Sequence, residues 1–206
     1  MHSHLIVLNI NHYMIKKGHL GKRLKYIMTQ PGDTITNSRT GQRMIFRKTG
    51  SETNGTLLEI ECYNPVSDVK EPEHIHPVQE STFEVISGKL HFEINGKIQT
   101  AVSGGVVIIP AGIPHYFWNG GEIEAHYIQR FNPSMHIDNF FKTYFALARN
   151  NKLNKKGLPN LFLISLISLN HQNEIRLTNP PWVIQMFIFS ILAPVGRLLG
   201  YKEAYE

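Results

Sequence analysis

Gly104-Gly105-Val106-Val107-Ile108-Ile109-Pro110-Ala111-Gly112-Ile113-Pro114-His115-Tyr116-Phe117-Trp118-Asn119 carries the clearest structural signal in the chain. Val106 to Ile109 are four β-branched residues in a row, which suit a pleated backbone and read as a short buried strand. Pro110, Gly112 and Pro114 then stop it, because proline brings no N–H to a ladder and glycine opens turn conformations. The turn ends on His115 and so places that imidazole at the mouth of the structure to which the strand belongs.

Outward from this stretch, residues 43–131 keep the same style. Leu57–Glu61, Thr82–Ile86, Lys89–Ile94 and Ala125–Ile128 largely alternate apolar and polar side chains, Met44–Phe46 is a short apolar run, and Gly, Asn, Pro and Ser clusters lie between them. Such spacing, about 8–12 residues, is that of an all-β sandwich or barrel. Asn95-Gly96 between Ile94 and Lys97 is a two-residue hairpin signal, since both central positions of that turn need positive φ. Strands 89–94 and 97–101 are therefore predicted to pair. After Asn132-Pro133 the period becomes helical: Ser134 reads as the N-cap of a helix to about residue 149, with Phe140, Tyr144 and Leu147 on one face. A second helix is read over Leu161–Leu169, and a third from Trp182 to Leu199, stopped by Gly200.

Composition narrows the class. With 206 residues, 42% of them hydrophobic and 18% charged, the chain is long enough for one ordinary core and too apolar for a disordered polyelectrolyte. Its single cysteine, Cys62, excludes an intrachain disulfide or a cysteine-rich zinc module and reads as a buried thiol. The net charge of +5 lies wholly in residues 1–32, where Lys16, Lys17, Lys22, Arg23 and Lys25 stand without an acid. The rest of the chain is neutral, so no phosphate-tracking face is expected and nucleic acid is excluded as a partner of the folded part. The arm, whose run Leu5–Leu8 is too short for a secretion signal, fits a transit peptide or a start codon placed too early, and Met28 opens the more ordinary sequence. The domain reading is thus 1–32 as a basic arm that could be disordered, 33–132 as the barrel, and 133–206 as a helical extension. A cytoplasmic protein is expected.

The chemistry is concentrated in Glu73-His74-Ile75-His76-Pro77-Val78-Gln79-Glu80. In an extended strand residues i and i+2 face the same side, about 7 Å apart along the backbone, so His74 and His76 present two imidazoles to one space. Two histidines on a polar strand would look the same, and the pair becomes informative only with His115 and a nearby carboxylate. His91 and His126 lie in strands without such flanking spacing and read as ordinary histidines. No Ser/His/Asp nucleophile, phosphate loop or dinucleotide fingerprint is present.

Taken together, the two segments resemble the motifs of the cupin superfamily. The second motif, G-x5-P-x-G-x2-H-x3-N, is met by Gly104, Pro110, Gly112, His115 and Asn119; the first, G-x5-H-x-H-x3,4-E-x6-G, is met in part by His74, His76, Glu80 and Gly88. The resemblance spans roughly residues 40–131 and implies a mainly β fold, a double-stranded β-helix or jelly-roll barrel, followed here by C-terminal α-helices. It also implies a divalent transition metal (Fe, Mn, Ni or Zn) held by His74, His76, Glu80 and His115, with positions open to water, dioxygen or a chelating substrate. Two departures stand out: Asp68 occupies the opening glycine, and Ser81 stands where the motif's spacing to Gly88 wants the glutamate. Strand parity points Gln79 and Ser81 inward and Glu80 outward, so Glu80 needs a bulge to reach the metal. The alternatives are a three-histidine site completed by Gln79 or water, and a metal-free barrel.

The implied activity is that of a metal-dependent dioxygenase-type oxidoreductase on a small organic molecule, with Glu80 as ligand or base. A non-catalytic ligand-binding or regulatory barrel and an isomerase-type cupin are the alternatives. Gln79, Ser81, Phe83, Phe117 and Tyr127 are the expected substrate pocket. The apolar extension is expected to pack on the barrel exterior and to contribute to a homodimer. Trp182–Leu199, interrupted by Gln185 and Pro194 and ending near Arg197, is read as a covering helix in preference to a membrane span.

Overall fold

The computed structural model describes residues 28–67 and 69–205; the basic arm up to residue 27 and Asp68 lie outside the described residues. Ten strands come first: β1 (Thr34–Thr36), β2 (Arg43–Lys48), β3 (Leu58–Asn64), β4 (His74–Ile75), β5 (Glu80–Ser87), β6 (Lys89–Ile94), β7 (Lys97–Val102), β8 (Val106–Ile109), β9 (His115–Trp118) and β10 (Ala125–Asn132). Helices α1 (Ile137–Arg149) and α2 (Leu161–Asn170), the short strand β11 (Arg176–Leu177) and helix α3 (Trp182–Leu198) follow. The strands form two antiparallel sheets, β1-β2-β3-β10-β5-β8 and β11-β4-β9-β6-β7. The molecule is a mainly β jelly roll with C-terminal helices.

The alternation read from the sequence is the alternation seen. Along β3, Leu58, Ile60 and Cys62 are buried while Glu59 and Glu61 are not. Phe83 and Val85 of β5, Phe92 of β6 and Tyr127 and Phe131 of β10 complete the core between the sheets. The β6–β7 hairpin closes through Asn95 and Gly96, at φ 49° and 73°, with Ile94 opposite Lys97. Gly88 has φ 79°, and a Cβ there would lie 2.8 Å from the Ala125 Cα, so only glycine lets β5 turn into β6 against β10.

The helices deviate from expectation at one end. Ser134 does not cap α1: Met135 takes a left-handed backbone, φ 44°, between it and the helix, and His136 is the N-cap without a side-chain bond. Ser134 is buried, its N–H bonded to the Gly55 carbonyl at 3.0 Å and its own carbonyl accepting from Gln79 Nε2 at 3.0 Å. The residue is spent on joining the barrel to the extension. Helix α2 is capped by Asn160, whose Oδ1 accepts from Phe162 N and Leu163 N, and α3 stops at Gly200, φ 84°. The face of α1 carrying Phe140, Tyr144 and Leu147 turns toward a cavity at the barrel interior, so the extension is a wall of that cavity and not only an exterior layer. Among the described residues no helix is long and apolar enough to cross a membrane.

His171, just after α2, is 2% exposed and stacks edge-on against Phe140. Burial, with a smaller contribution from His136, pushes its pKa down to about 4. Below pH ~6.5 the unfolded chain binds a proton that the folded chain refuses, so this residue's contribution to stability is full above ~6.5 and falls as pH drops toward 4. The loss by pH 4 is about 3 kcal/mol. Melting curves of wild type and His171→Leu are expected to diverge across this window, the variant keeping the flatter acid limb; parallel curves would contradict the assignment.

Candidate metal centre

The site is built by register. His74 of β4 pairs directly with His115 of β9, and His76 follows two residues along the same extended segment. Ring centroids are 4.5 Å apart for His74–His115, 5.1 Å for His74–His76 and 5.3 Å for His76–His115. Each histidine offers a ring nitrogen, and these lie within 4.8 Å of one another, a group that could hold a metal ion.

The other ring nitrogens explain why the imidazoles stand this way. His74 Nδ1 bonds the Pro72 carbonyl at 2.9 Å, His76 Nδ1 the Glu174 carbonyl at 2.7 Å and His115 Nδ1 the Ile113 carbonyl at 2.8 Å. A carbonyl only accepts, so each Nδ1 carries the hydrogen and each neutral ring keeps its Nε2 lone pair. Burial holds all three in that neutral form. It lowers His74 well below 6.5, with His115 and His76 adding to the effect; it takes His76 to about 3; and it lowers His115. Three uncharged nitrogen donors packed together suit a borderline divalent ion.

Part of this support comes from the far end of the chain. The segment after α2 returns along the barrel: β11 pairs with β4, Leu177 opposite His74, and Glu174 supplies the acceptor for His76. Thr178 Oγ1 donates to Glu73 Oε2 at 2.5 Å, and Gln185 Nε2 of α3 donates to the Leu177 carbonyl at 2.9 Å. Gln185, which interrupts the apolar run of α3, is the anchor of this strap and is 1% exposed.

The remaining expected site residues divide. Glu80 is exposed at the start of β5, opposite Asn132, while Ser81 beside it is fully buried. The parity of β5 runs unbroken through Ser81, Phe83 and Val85, so no bulge turns Glu80 inward, and it does not join the three histidines. Gln79 is buried, but its amide N–H groups go to the Pro133 and Ser134 carbonyls. Phe83 and Phe117 line the cavity next to the triad, whereas Gln79, Ser81 and Tyr127 do not. Tyr127 accepts from Gln42 Nε2 at 2.7 Å.

The cavity measures about 130 Å³ and is bounded by His74, His76 and His115, by barrel aromatics, and by Phe140, Phe141 and Phe145 of α1. Polar residues in its wall that escaped the sequence reading include Asn37, Gln42, Glu71, Gln129 and Ser168. Glu71 accepts from Tyr144 Oη at 2.5 Å and from Arg39 Nη1 at 3.1 Å, and burial raises its pKa above the ordinary carboxylate value against both partners. Only Gln129 had a signal, as the polar member of the inward series Ala125, Tyr127, Gln129, Phe131.

Residues 62–129, from the middle of β3 to the middle of β10, match the family described as Cupin domain. No curated protein matches the chain. Similar solved structures include a predicted oxalate decarboxylase from Thermotoga maritima, 18% identical over 49% of this chain and 90% of that one, TM-score 0.45. An RmlC-like cupin from Shewanella frigidimarina is 16% identical over 54% and 95%, TM-score 0.44. KdgF from Halomonas sp. is 16% identical over 45% and 79%, TM-score 0.40. With the family match lying on the barrel strands, and both histidine segments brought to one end of that barrel, residues 62–129 form a cupin domain.

Proposed function

We propose that this cupin binds one divalent transition metal through His74, His76 and His115 and acts on a small organic molecule in the adjoining cavity, as a dioxygenase-type oxidoreductase. The observation that carries the reading is the shared orientation of the three imidazoles, each with Nδ1 tied to a carbonyl and its second nitrogen free beside an apolar cavity. A metal held by these three histidines would supply Lewis acidity and, if redox-active, reactivity toward dioxygen. The chain's own part is to hold three neutral donors, to exclude water with the phenylalanines of α1 and the barrel, and to present Glu71. Glu71 replaces Glu80 as the candidate for proton exchange: it lines the cavity, and its raised pKa favours holding a proton.

The iron-loaded protein is expected to consume oxygen with at least one member of a panel of flavonols, catechols and β-diketones, and Glu71→Gln to slow that turnover without loss of metal. Ligand-dependent rises in melting temperature without oxygen uptake across the panel would favour the ligand-binding alternative. The expected homodimer has a surface on α3, where Val183, Phe187, Ile191 and Leu198 are all more than half exposed. Its partner in this reading is a second copy of the chain.

A further inference from the structure

Gln129 stands at a position where packing alone asks for an apolar residue. It lies on the inner face of β10, the strand held between β3 and β5, directly opposite Ile60 and Phe83. Its inward neighbours along the strand, Tyr127 and Phe131, are completely buried. Gln129 is itself 3% exposed, and among the described residues its Oε1 has no hydrogen-bond partner. A buried polar atom left unpaired destabilises the fold, so an apolar residue of similar size would be the more stable choice. Gln129 is one of the residues that line the cavity.

A second residue of the same wall complements it. Asn37, after β1, is 1% exposed, and its Oδ1 accepts from the Arg39 N–H at 3.0 Å. That bond fixes which way its amide points and leaves Nδ2 without a partner among the described residues. Nδ2 can only donate, and Gln129 Oε1 can only accept. Among the described residues no lysine or arginine lines the cavity, and the Arg39 guanidinium beside it is paired with Glu71 at 3.1 Å, so no unpaired positive charge is offered to an anion there. A volume of about 130 Å³ is close to the ~150 Å³ of an apolar cavity that holds benzene, so the space is that of a single ring.

We propose that Gln129 and Asn37 are the polar recognition pair of the cavity, and that the molecule they select is an uncharged, single-ring compound carrying a hydroxyl, which donates to Gln129 and accepts from Asn37. This deepens the reading of the cavity as a substrate site and rests on it, but not on the metal.

The test uses the full chain after chelator treatment, titrated at pH 7 with phenol, benzene and benzoate by calorimetry, with metal content measured separately. Phenol is expected to bind at least tenfold more tightly than benzene, and benzoate not to bind. Gln129→Leu is expected to lower phenol affinity about tenfold and leave benzene affinity unreduced. Its melting temperature should equal or exceed that of wild type, whereas a purely structural glutamine would show a fall. Gln129→Met supplies the same comparison with a more flexible side chain. Equal affinity for phenol and benzene, benzoate binding as strong as phenol, or an unchanged phenol-to-benzene ratio in both variants would overturn the pair's role. Failure of all three probes to bind would overturn it together with the substrate-cavity reading, while leaving metal uptake by the triad standing; phenol selectivity in a protein that takes no metal would do the reverse.

Discussion

Phe83→Ala is expected to lower the stability of the fold by about 3–5 kcal/mol, a large share of the ~5–15 kcal/mol that a domain has in total. Phe83 is fully buried and central to the aromatic cluster, its ring 4.9 Å from Phe117, 5.1 Å from Phe92 and 5.8 Å from Tyr127. Removing it strips contacts from both sheets at once, and antiparallel strands on either side hold the backbone too rigidly for the space to collapse. Because Phe83 also lines the cavity, the new void joins the old one. Denaturant unfolding should show the midpoint fall with little change in slope, with a drop in melting temperature of roughly 10 °C. A loss below about 1 kcal/mol would mean that the cluster is loosely packed.

Ending the chain after Asn170 is expected to weaken metal binding by about 10–100-fold, the usual effect of removing the groups that orient metal ligands. The deletion takes away the Glu174 carbonyl from His76 and the β11 partner from β4, leaving His76 Nδ1–H buried without an acceptor. It also removes α3, which packs on α2, so a milder variant separates the two effects. Gln185→Leu keeps α3 but deletes the amide that holds the strap at the Leu177 and Pro180 carbonyls. The point variant should lose metal affinity in the same direction with an unchanged far-ultraviolet circular dichroism spectrum. Metal affinity indifferent to both changes would show that the strap is passive.

The barrel and the three histidines were legible because their signals are local. Period-two runs such as Leu58-Glu59-Ile60-Glu61-Cys62, the turn at Asn95-Gly96 and the spacing of His74, His76 and His115 need no knowledge of distant residues. What escaped depends on pairing across the chain. β4 and β11 have two residues each, too few to show a period, and exist because each gives the other its ladder partner. The role of Glu174 rests on a backbone carbonyl, which no side chain announces. Ser134 has the composition of a cap, but its neighbour Met135 adopts a left-handed conformation and the serine's polar backbone groups are already used by Gly55 and Gln79. Glu80 matched the motif by spacing from His76, and parity, read correctly as outward, was the stronger signal. The extension was legible as apolar helices. That α1 would close a cavity over the triad follows only from where the Pro133–His136 turn aims it.

The central claim is that His74, His76 and His115, without Glu80, hold a metal. Elemental analysis answers it most directly, on protein purified without metal-chelating resin, loaded with excess Fe(II), Mn(II), Ni(II) or Zn(II) in separate portions and desalted. Wild type and Glu80→Gln are expected to retain close to one equivalent of at least one of these ions, and a His74→Ala, His115→Ala double variant, still folded by circular dichroism, to retain none. Wild type that keeps no metal, or a folded double variant that keeps as much as wild type, would contradict it.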